Sequence, residues 1–283
     1  MVHENVRGKD VYIVQPTSPP VNENLMELFL MVSTMRRASA NSITCVIPYY
    51  GYARQDRKAP QSPRPWHPQM QARVPISAAD VARLLEAVGV DRVVAVDLHC
   101  GQIQGFFGPR VPVDNLDAGQ VAVDYFGRKG LVNPVVVSPD AGGVYRAKKF
   151  REGLARMTRS DPGLAMIIKQ RPKAGQIGSM DLVGSVEDSD VVIVDDMIDT
   201  AGTLCSAADQ LKVHGGEPLY PWFMRCQPPL IVIPGAARRV FAFATHGLFS
   251  GPASERIRRS ALEEVVSSSS QYPIHFGHRG LSV

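Results

Sequence analysis

Asp195, Asp196 and Asp199 stand close together in the run VVIVDDMIDTAGT, residues 191–203, and Thr200, Ala201, Gly202 and Thr203 follow them directly. Carboxylates only accept hydrogen bonds and sugar hydroxyls can donate them, so the adjoining Asp195 and Asp196 suit a sugar. Gly202 allows close backbone approach, and the threonine hydroxyls add donors. Residues 191–194 form a short β-branched run, the pattern of a strand covered on both faces of a parallel sheet. Asp195 and Asp196 then lie at its carboxyl end, where open α/β sheets bind ligands. The apolar spacing of Leu204, Ala207, Ala208 and Leu211 predicts a helix over 203–213, whose free N–H groups and positive dipole end face the turn. A phosphate fits there. The same residues would also serve as Asp and Thr caps of an ordinary strand-to-helix turn.

Four other clusters carry chemistry. PYYGYARQDRK, residues 48–58, follows a predicted strand and mixes aromatic faces with Arg54, Gln55, Arg57 and Lys58, suited to stacking a base and neutralising phosphates. DLHCGQIQGFF, residues 97–107, sets His99 just past a strand end, where imidazole could ligate a metal or donate to phosphate. SPDAGG, residues 138–143, places Asp140 in a glycine turn before a helix, where it could hold Mg2+ through water. KQRPKAGQ, residues 169–176, is a basic loop after a strand. A solvated loop, a structural histidine or a plain turn would explain each cluster taken singly.

The elements that must position them alternate. Strands are predicted at 11–14, 43–47, 93–96, 135–137, 165–168, 191–194 and 240–244. Helices are predicted from 25 to about 37, over 77–88, 144–157 and 203–213. Ser77 and Asp80 have capping-box spacing, and Gly89 stands beyond the second helix. Such alternation implies parallel sheets with right-handed crossovers. Two similar α/β halves, residues 1–115 and 116–283, joined near 115–120, are the simplest architecture.

Composition sets limits on function. With 283 residues and 45% hydrophobic content the chain can bury a substantial core, and a net charge of +4 supports neither a nucleic-acid stripe nor a membrane surface. Cys45, Cys100, Cys205 and Cys226 lack CxxC or His/Cys ligand spacing and read as reduced, partly buried thiols, which fits a cytoplasmic protein. The first ten residues lack an apolar signal core, and no run reaches the roughly 18 apolar residues of a membrane span. Neither a GxxxxGKS/T nor a GxGxxG phosphate loop occurs.

Taken in order, ENVRG, NENLMEL, YARQDRK, RVPISA, DLHCGQIQGFF, SPDAGG, DDMIDTAGT and ATHGLFSG resemble the ribose-phosphate diphosphokinase (PRPP synthetase) family along most of the chain. The resemblance implies two type I phosphoribosyltransferase-like domains with mainly parallel sheets. It implies transfer of diphosphate from Mg2+-bound ATP to the C1 hydroxyl of ribose 5-phosphate, with release of AMP. Arg54, Gln55 and Asp56 would contact ATP, and His99 and Asp140 would serve the metal. Asp195 and Asp196 would hold the ribose hydroxyls, Asp199, Thr200, Ala201, Gly202 and Thr203 would cradle the 5-phosphate, and Lys169 and Arg171 match the basic catalytic loop. The family also implies a dimer-based homo-oligomer, a hexamer in its usual form.

Departures from the family pattern create further expectations. The chain begins where the pattern is already under way, so a first strand and an adenine-stacking segment are expected to be absent. Proline-rich stretches at about 59–72 and 217–237 and the tail 267–283 look foreign to the fold, as surface loops or as read-through of non-coding sequence. Two alternatives follow: a silent regulatory subunit of PRPP synthetase assemblies, or an inactive gene-model product. A phosphoribosyltransferase would share DDMIDTAGT but lack the YARQDRK and DLHCGQIQGFF blocks.

Overall fold

A computed structural model describes residues 3–57, 75–169, 180–213, 235–270 and 281–282. The stretch 59–72, nearly all of 217–237, the apolar run 230–233, Cys226, Lys58 and Arg171 lie outside the described residues. The chain divides into two compact units, Met1–Asp117 and Ala118–Val283.

In the first unit β1 (Asp10–Val14), β2 (Ser42–Ile47), β3 (Arg92–Val96) and β4 (Val113–Leu116) pair in simple sequence order, all parallel. Right-handed crossovers between strands added in one direction fall on one side of a sheet. Accordingly α1 (Val21–Arg37) and α2 (Ser77–Val88) share one core with the sheet, in which Leu28, Val32, Ile43, Cys45, Ala82, Leu85 and Val93 are fully buried. The opposite sheet face leaves Tyr12, Val14 and Leu116 more than half exposed.

Two local expectations need correction here. α2 is preceded by Ile76 and its start carries no side-chain cap; the Ala78 N–H donates instead to the Gln55 carbonyl at 3.2 Å, and Asp80 pairs with Arg83 at 3.8 Å. A tertiary acceptor thus replaces the capping box. At the other end Gly89 adopts φ 97, the left-handed closure expected of it. β4 was not anticipated, because VDNL carries only two apolar residues; it forms by pairing with β3, helped by the Arg92–Asp114 ion pair.

The second unit opens with α3 (Gly119–Gly127) and holds a seven-stranded sheet. Its strands are β5 (Val135–Ser138), β6 (Gly163–Lys169), β7 (Met180–Val183), β8 (Asp190–Ile198), β9 (Arg239–Gly247), β10 (Glu264–Ser270) and β11 (Leu281–Ser282), in the order β11-β10-β9-β8-β5-β6-β7. Among the described residues only the β6–β7 pair is antiparallel. Alternation along β8 sends Val192 and Val194 into a core with α3 and α4 (Val144–Thr158), and Val191 and Ile193 into a second core with α5 (Gly202–Val213) and α6 (Ala253–Arg259). Both faces are covered, which explains the unbroken β-branched run.

The tail also departs from expectation. Residues 267–270 were expected to be foreign to the fold, yet they continue β10 in register with β9. Ser267 is buried and its hydroxyl, like that of Ser268, donates to the Thr245 carbonyl, at 3.3 and 3.0 Å. Pairing overrides the polar composition.

At the far end of β8 from the candidate site, fully buried Asp190 accepts from Arg239 Nε at 2.9 Å and Nη2 at 2.6 Å and from the Val132 N–H at 2.7 Å. The Arg239 guanidinium holds its carboxyl below the ordinary range. A lowered folded pKa contributes stability above the unfolded value near 3.9 that is lost as pH falls through the folded value. Asp190→Asn should cost about 2 kcal/mol near pH 7. In urea titrations the gap from wild type should hold between pH 6 and 8 and narrow below about pH 4; an equal gap at both extremes would refute a charge-dependent role.

Candidate functional site

The order of the second sheet reverses between β5 and β8: β6 and β7 extend it one way, β9 and β10 the other. The helix after β5 covers one face and the helix after β8 the other, so their first turns part and leave a crevice beyond the carboxyl ends of the two central strands. Ligands bind at such a switch point in open α/β sheets. Ser138–Gly143 and Asp195–Thr203 are the segments that line it.

β8 runs longer than expected, to Ile198, so Asp195 and Met197 still pair with Ala244 and His246 of β9. Ordered pairing fixes the backbone beneath both acids. Asp196 is buried, Asp195 is half-buried, and the Asp195 Oδ1 accepts from the Asp196 N–H at 2.9 Å. Arg146, on the first turns of α4, sets Nη1 3.8 Å from Asp195 Oδ1 and 3.7 Å from Asp196 Oδ1. Burial and the adjoining Asp196 carboxyl raise the pKa of Asp195 above the ordinary range, and Arg146 opposes them. Arg146 offsets only part of the cost, since the pKa of Asp195 stays raised beside it. The pair is poised to accept hydrogen bonds from hydroxyls or to meet a further cation.

The SPDAGG turn is built to leave room. The Ser138 hydroxyl donates to the Asp140 carbonyl at 2.6 Å, and the Gly143 N–H donates to Asp140 Oδ1 at 3.0 Å. A Cβ at Gly143 would stand 2.8 Å from the Ser138 hydroxyl and 3.9 Å from Arg146 Nη1. The turn therefore requires glycine there and abuts the arginine that serves the carboxylates. Asp140 itself is exposed.

After β8 the chain turns sharply. Ala201 holds a left-handed φ of 56, and its carbonyl accepts the first helical bond, from the Cys205 N–H at 2.9 Å. Ala201 is buried, while Thr200 and Thr203 are exposed at the head of α5. The leading N–H groups of an α-helix have no intrahelical acceptor. A phosphate can take them.

In the first unit, Arg54, Gln55 and Asp56 follow β2, and His99 follows β3. The loop after β2 is tightly held: the Gly51 N–H donates to the Thr17 hydroxyl at 2.7 Å, and a Cβ at Gly51 would stand 2.6 Å from the Thr17 carbonyl. Tyr50 is buried, and its hydroxyl donates to the Ala78 carbonyl at 3.0 Å. Arg54 and Gln55 are exposed and Asp56 is buried against the Cys100 thiol, whose pKa burial and that carboxylate push up to about 11. The two sequence clusters thus meet at the carboxyl ends of neighbouring strands, with Asp56 bracing one against the other. His99 is half-buried beside a 3-10 helix over Gly101–Phe106.

Lys169 ends β6, its backbone in register with Met180 of β7. His99 belongs to the first unit and Asp140 to the second. Among the described residues no three His, Cys, Asp or Glu side chains cluster as a ready metal cage. Arg146 escaped the sequence reading, although a basic residue one turn after a glycine turn was the signal available.

Residues 1–89 match the family model for the N-terminal domain of ribose phosphate pyrophosphokinase, and residues 116–219 match the phosphoribosyl transferase domain. The chain is 48% identical over 269 residues to a ribose-phosphate pyrophosphokinase of Vibrio parahaemolyticus, covering 95% of this chain and 74% of that one. It is 48% identical over 271 residues to the Helicobacter pylori enzyme of that name, covering 95% and 72%. The crystal structure of phosphoribosylpyrophosphate synthetase from Mycobacterium smegmatis superposes with a TM-score of 0.77 at 35% identity, over 100% of this chain and 80% of that one. With the switch-point crevice and its paired carboxylates, these likenesses make the chain a member of the ribose-phosphate pyrophosphokinase family.

Proposed function

We propose that this enzyme transfers the diphosphoryl group of ATP to the C1 hydroxyl of ribose 5-phosphate, giving phosphoribosyl diphosphate and AMP for nucleotide biosynthesis. The observation that carries the reading is the Asp195–Asp196 pair beside the head of α5, in a chain of this family. Nothing favours a silent subunit, since the relatives are named as the enzyme. A transferase that consumes phosphoribosyl diphosphate would not account for residues 1–89, which match the pyrophosphokinase N-terminal domain.

The residues take roles by their chemistry. Asp195 and Asp196 accept from the ribose hydroxyls, and Asp199, Thr200, Ala201, Gly202 and Thr203 surround the 5-phosphate with N–H and O–H donors. Arg54 and Gln55 contact ATP, whereas Asp56, expected beside them at ATP, is buried against the Cys100 thiol and holds their loop in place instead. Lys169 and Arg171 neutralise charge on the transferring group as the sugar hydroxyl attacks the β-phosphorus and AMP departs; such transfers depend on positioning and on cations.

Asp140, an exposed carboxylate in a glycine turn of the second unit, has the chemistry to hold Mg2+, and His99, at a strand end of the first unit, is separately a candidate ligand. Mg2+ keeps much of its water and is held by few protein groups, and when bound it neutralises phosphate oxygens. Homo-oligomeric assembly rests on the family resemblance, and a cytoplasmic location on Cys45, Cys100 and Cys205 being unpaired.

The activity is tested by AMP release from purified protein with ATP, Mg2+ and inorganic phosphate. AMP should form only when ribose 5-phosphate is present. Its absence from folded protein that binds the sugar phosphate, or its formation without the sugar, would overturn the reading. Lys169→Ala should lower turnover about 100-fold or more with ribose 5-phosphate binding little changed; near-normal turnover removes Lys169 from the catalytic set.

The carboxylate pair gives a pH-dependent test. A carboxyl whose folded pKa is raised costs stability at pH above its unfolded value near 3.9, and the cost grows until pH passes the folded value. Asp195→Asn should therefore melt a few degrees higher than wild type at pH 8, with the gain shrinking toward pH 4. It should also bind ribose 5-phosphate about tenfold or more weakly by titration calorimetry. A lower melting point at pH 8 contradicts the electrostatic account.

A further inference from the structure

The sugar-phosphate turn is held from behind by Leu248 and Phe249, which follow β9, and by Arg256 of α6. Two carbonyls of the turn face that side. The Ile198 carbonyl accepts from the Leu248 and Phe249 N–H groups at 2.9 and 3.1 Å, and the Thr200 carbonyl accepts from Arg256 Nη1 at 3.0 Å. A trans peptide points its C=O and N–H in opposite directions. The Ala201 N–H therefore points away from Arg256, and the Asp199 N–H away from Leu248 and Phe249.

Ala201 needs such a restraint. Its φ of 56 lies in the left-handed region, which costs a residue with a Cβ about 1 kcal/mol. Without an anchor the Thr200–Ala201 peptide is free to rotate and turn its N–H away from the ligand. A guanidinium hydrogen bond to the carbonyl opposes that rotation and polarises the amide, which strengthens its N–H as a donor. Gly202 leaves the space: a Cβ there would stand 3.2 Å from Arg256 Nη1.

We propose that Arg256 is a positioning residue for ribose 5-phosphate, fixing the Thr200–Ala201 peptide so that the Ala201 N–H faces the sugar phosphate. The proposal rests on the assignment of residues 199–203 as the phosphate cradle. Arg256 acts through the main chain, so its loss should fall on binding of the sugar phosphate and spare ATP and the chemical step. A cavity of about 460 Å³ lies beside it, lined by Cys205, Ser206 and Asp209 among others, so a small cation can reach the vacated position.

The test compares wild type, Arg256→Lys and Arg256→Ala in the full chain, by steady-state kinetics and by calorimetric titration of ribose 5-phosphate. The alanine variant should raise KM and Kd for ribose 5-phosphate about fivefold or more, with kcat and the KM for ATP within about twofold. The lysine variant should fall between the two. Millimolar guanidinium should restore part of the affinity of the alanine variant and leave wild type unaffected. An unchanged sugar-phosphate affinity, an equal loss in kcat and in the KM for ATP, or an absence of rescue overturns the proposal. If the alanine variant does not fold, the lysine variant decides: unchanged affinity for the sugar phosphate overturns the proposal, and a rise of about twofold or more supports it. Failure of wild type to bind ribose 5-phosphate would instead remove the underlying site assignment.

Discussion

Two adjoining carboxylates at the buried end of a parallel strand are the constraint to which the second unit is fitted. Asp195 and Asp196 repel each other, and burial raises the cost of charging both. A loop would let them swing apart into water. Continued pairing of β8 with β9 through Ile198 prevents this, and Arg146 supplies a partial counter-charge from α4. The raised pKa of Asp195 marks the net cost of holding its charge there. Stability is given up where binding is gained.

The surrounding architecture supports the pair in layers. The two cores clamp β8 from both faces, and alternation of Val191 to Val194 between them leaves the strand no freedom to slip by one residue. The reversal of strand order then parts the helix heads where the acids emerge. The first unit meets a simpler requirement, the support of exposed Arg54 and Gln55, by fastening Gly51 to Thr17, Tyr50 to Ala78 and Asp56 to Cys100.

What could be read from the sequence was whatever local chemistry decides. The β-branched run before Asp195, the apolar spacing of α5 and Gly89 after α2 each announce a structure that neighbours along the chain suffice to specify. The misses share one cause, dependence on partners distant in sequence. β4 exists because β3 offers an edge, Ser267 is a strand residue because Thr245 accepts its hydroxyl, and the start of α2 is capped by Gln55 rather than by Ser77 or Asp80. Asp195 and Asp196 could be found from their spacing. Arg146 could not be paired with them, because the sequence does not reveal that β5 and β8 are neighbours. The resemblance to a family supplied roles for residues, while the geometry supplied their supports.

The strand order that creates the crevice also sets an order of assembly. In the first unit each strand pairs with the next along the chain, yet Thr44 of β2 meets Arg92 of β3 only across nearly fifty residues (44 to 92) that include α2. The second unit closes loops of similar length: Val135 of β5 pairs with Val191 of β8, and Asp195 of β8 with Ala244 of β9. Non-local pairings of this kind lose chain entropy before they gain contact, and they form late. A nascent chain therefore holds its two carboxylates in water until β9, the strand that pairs with Asp195, has been made.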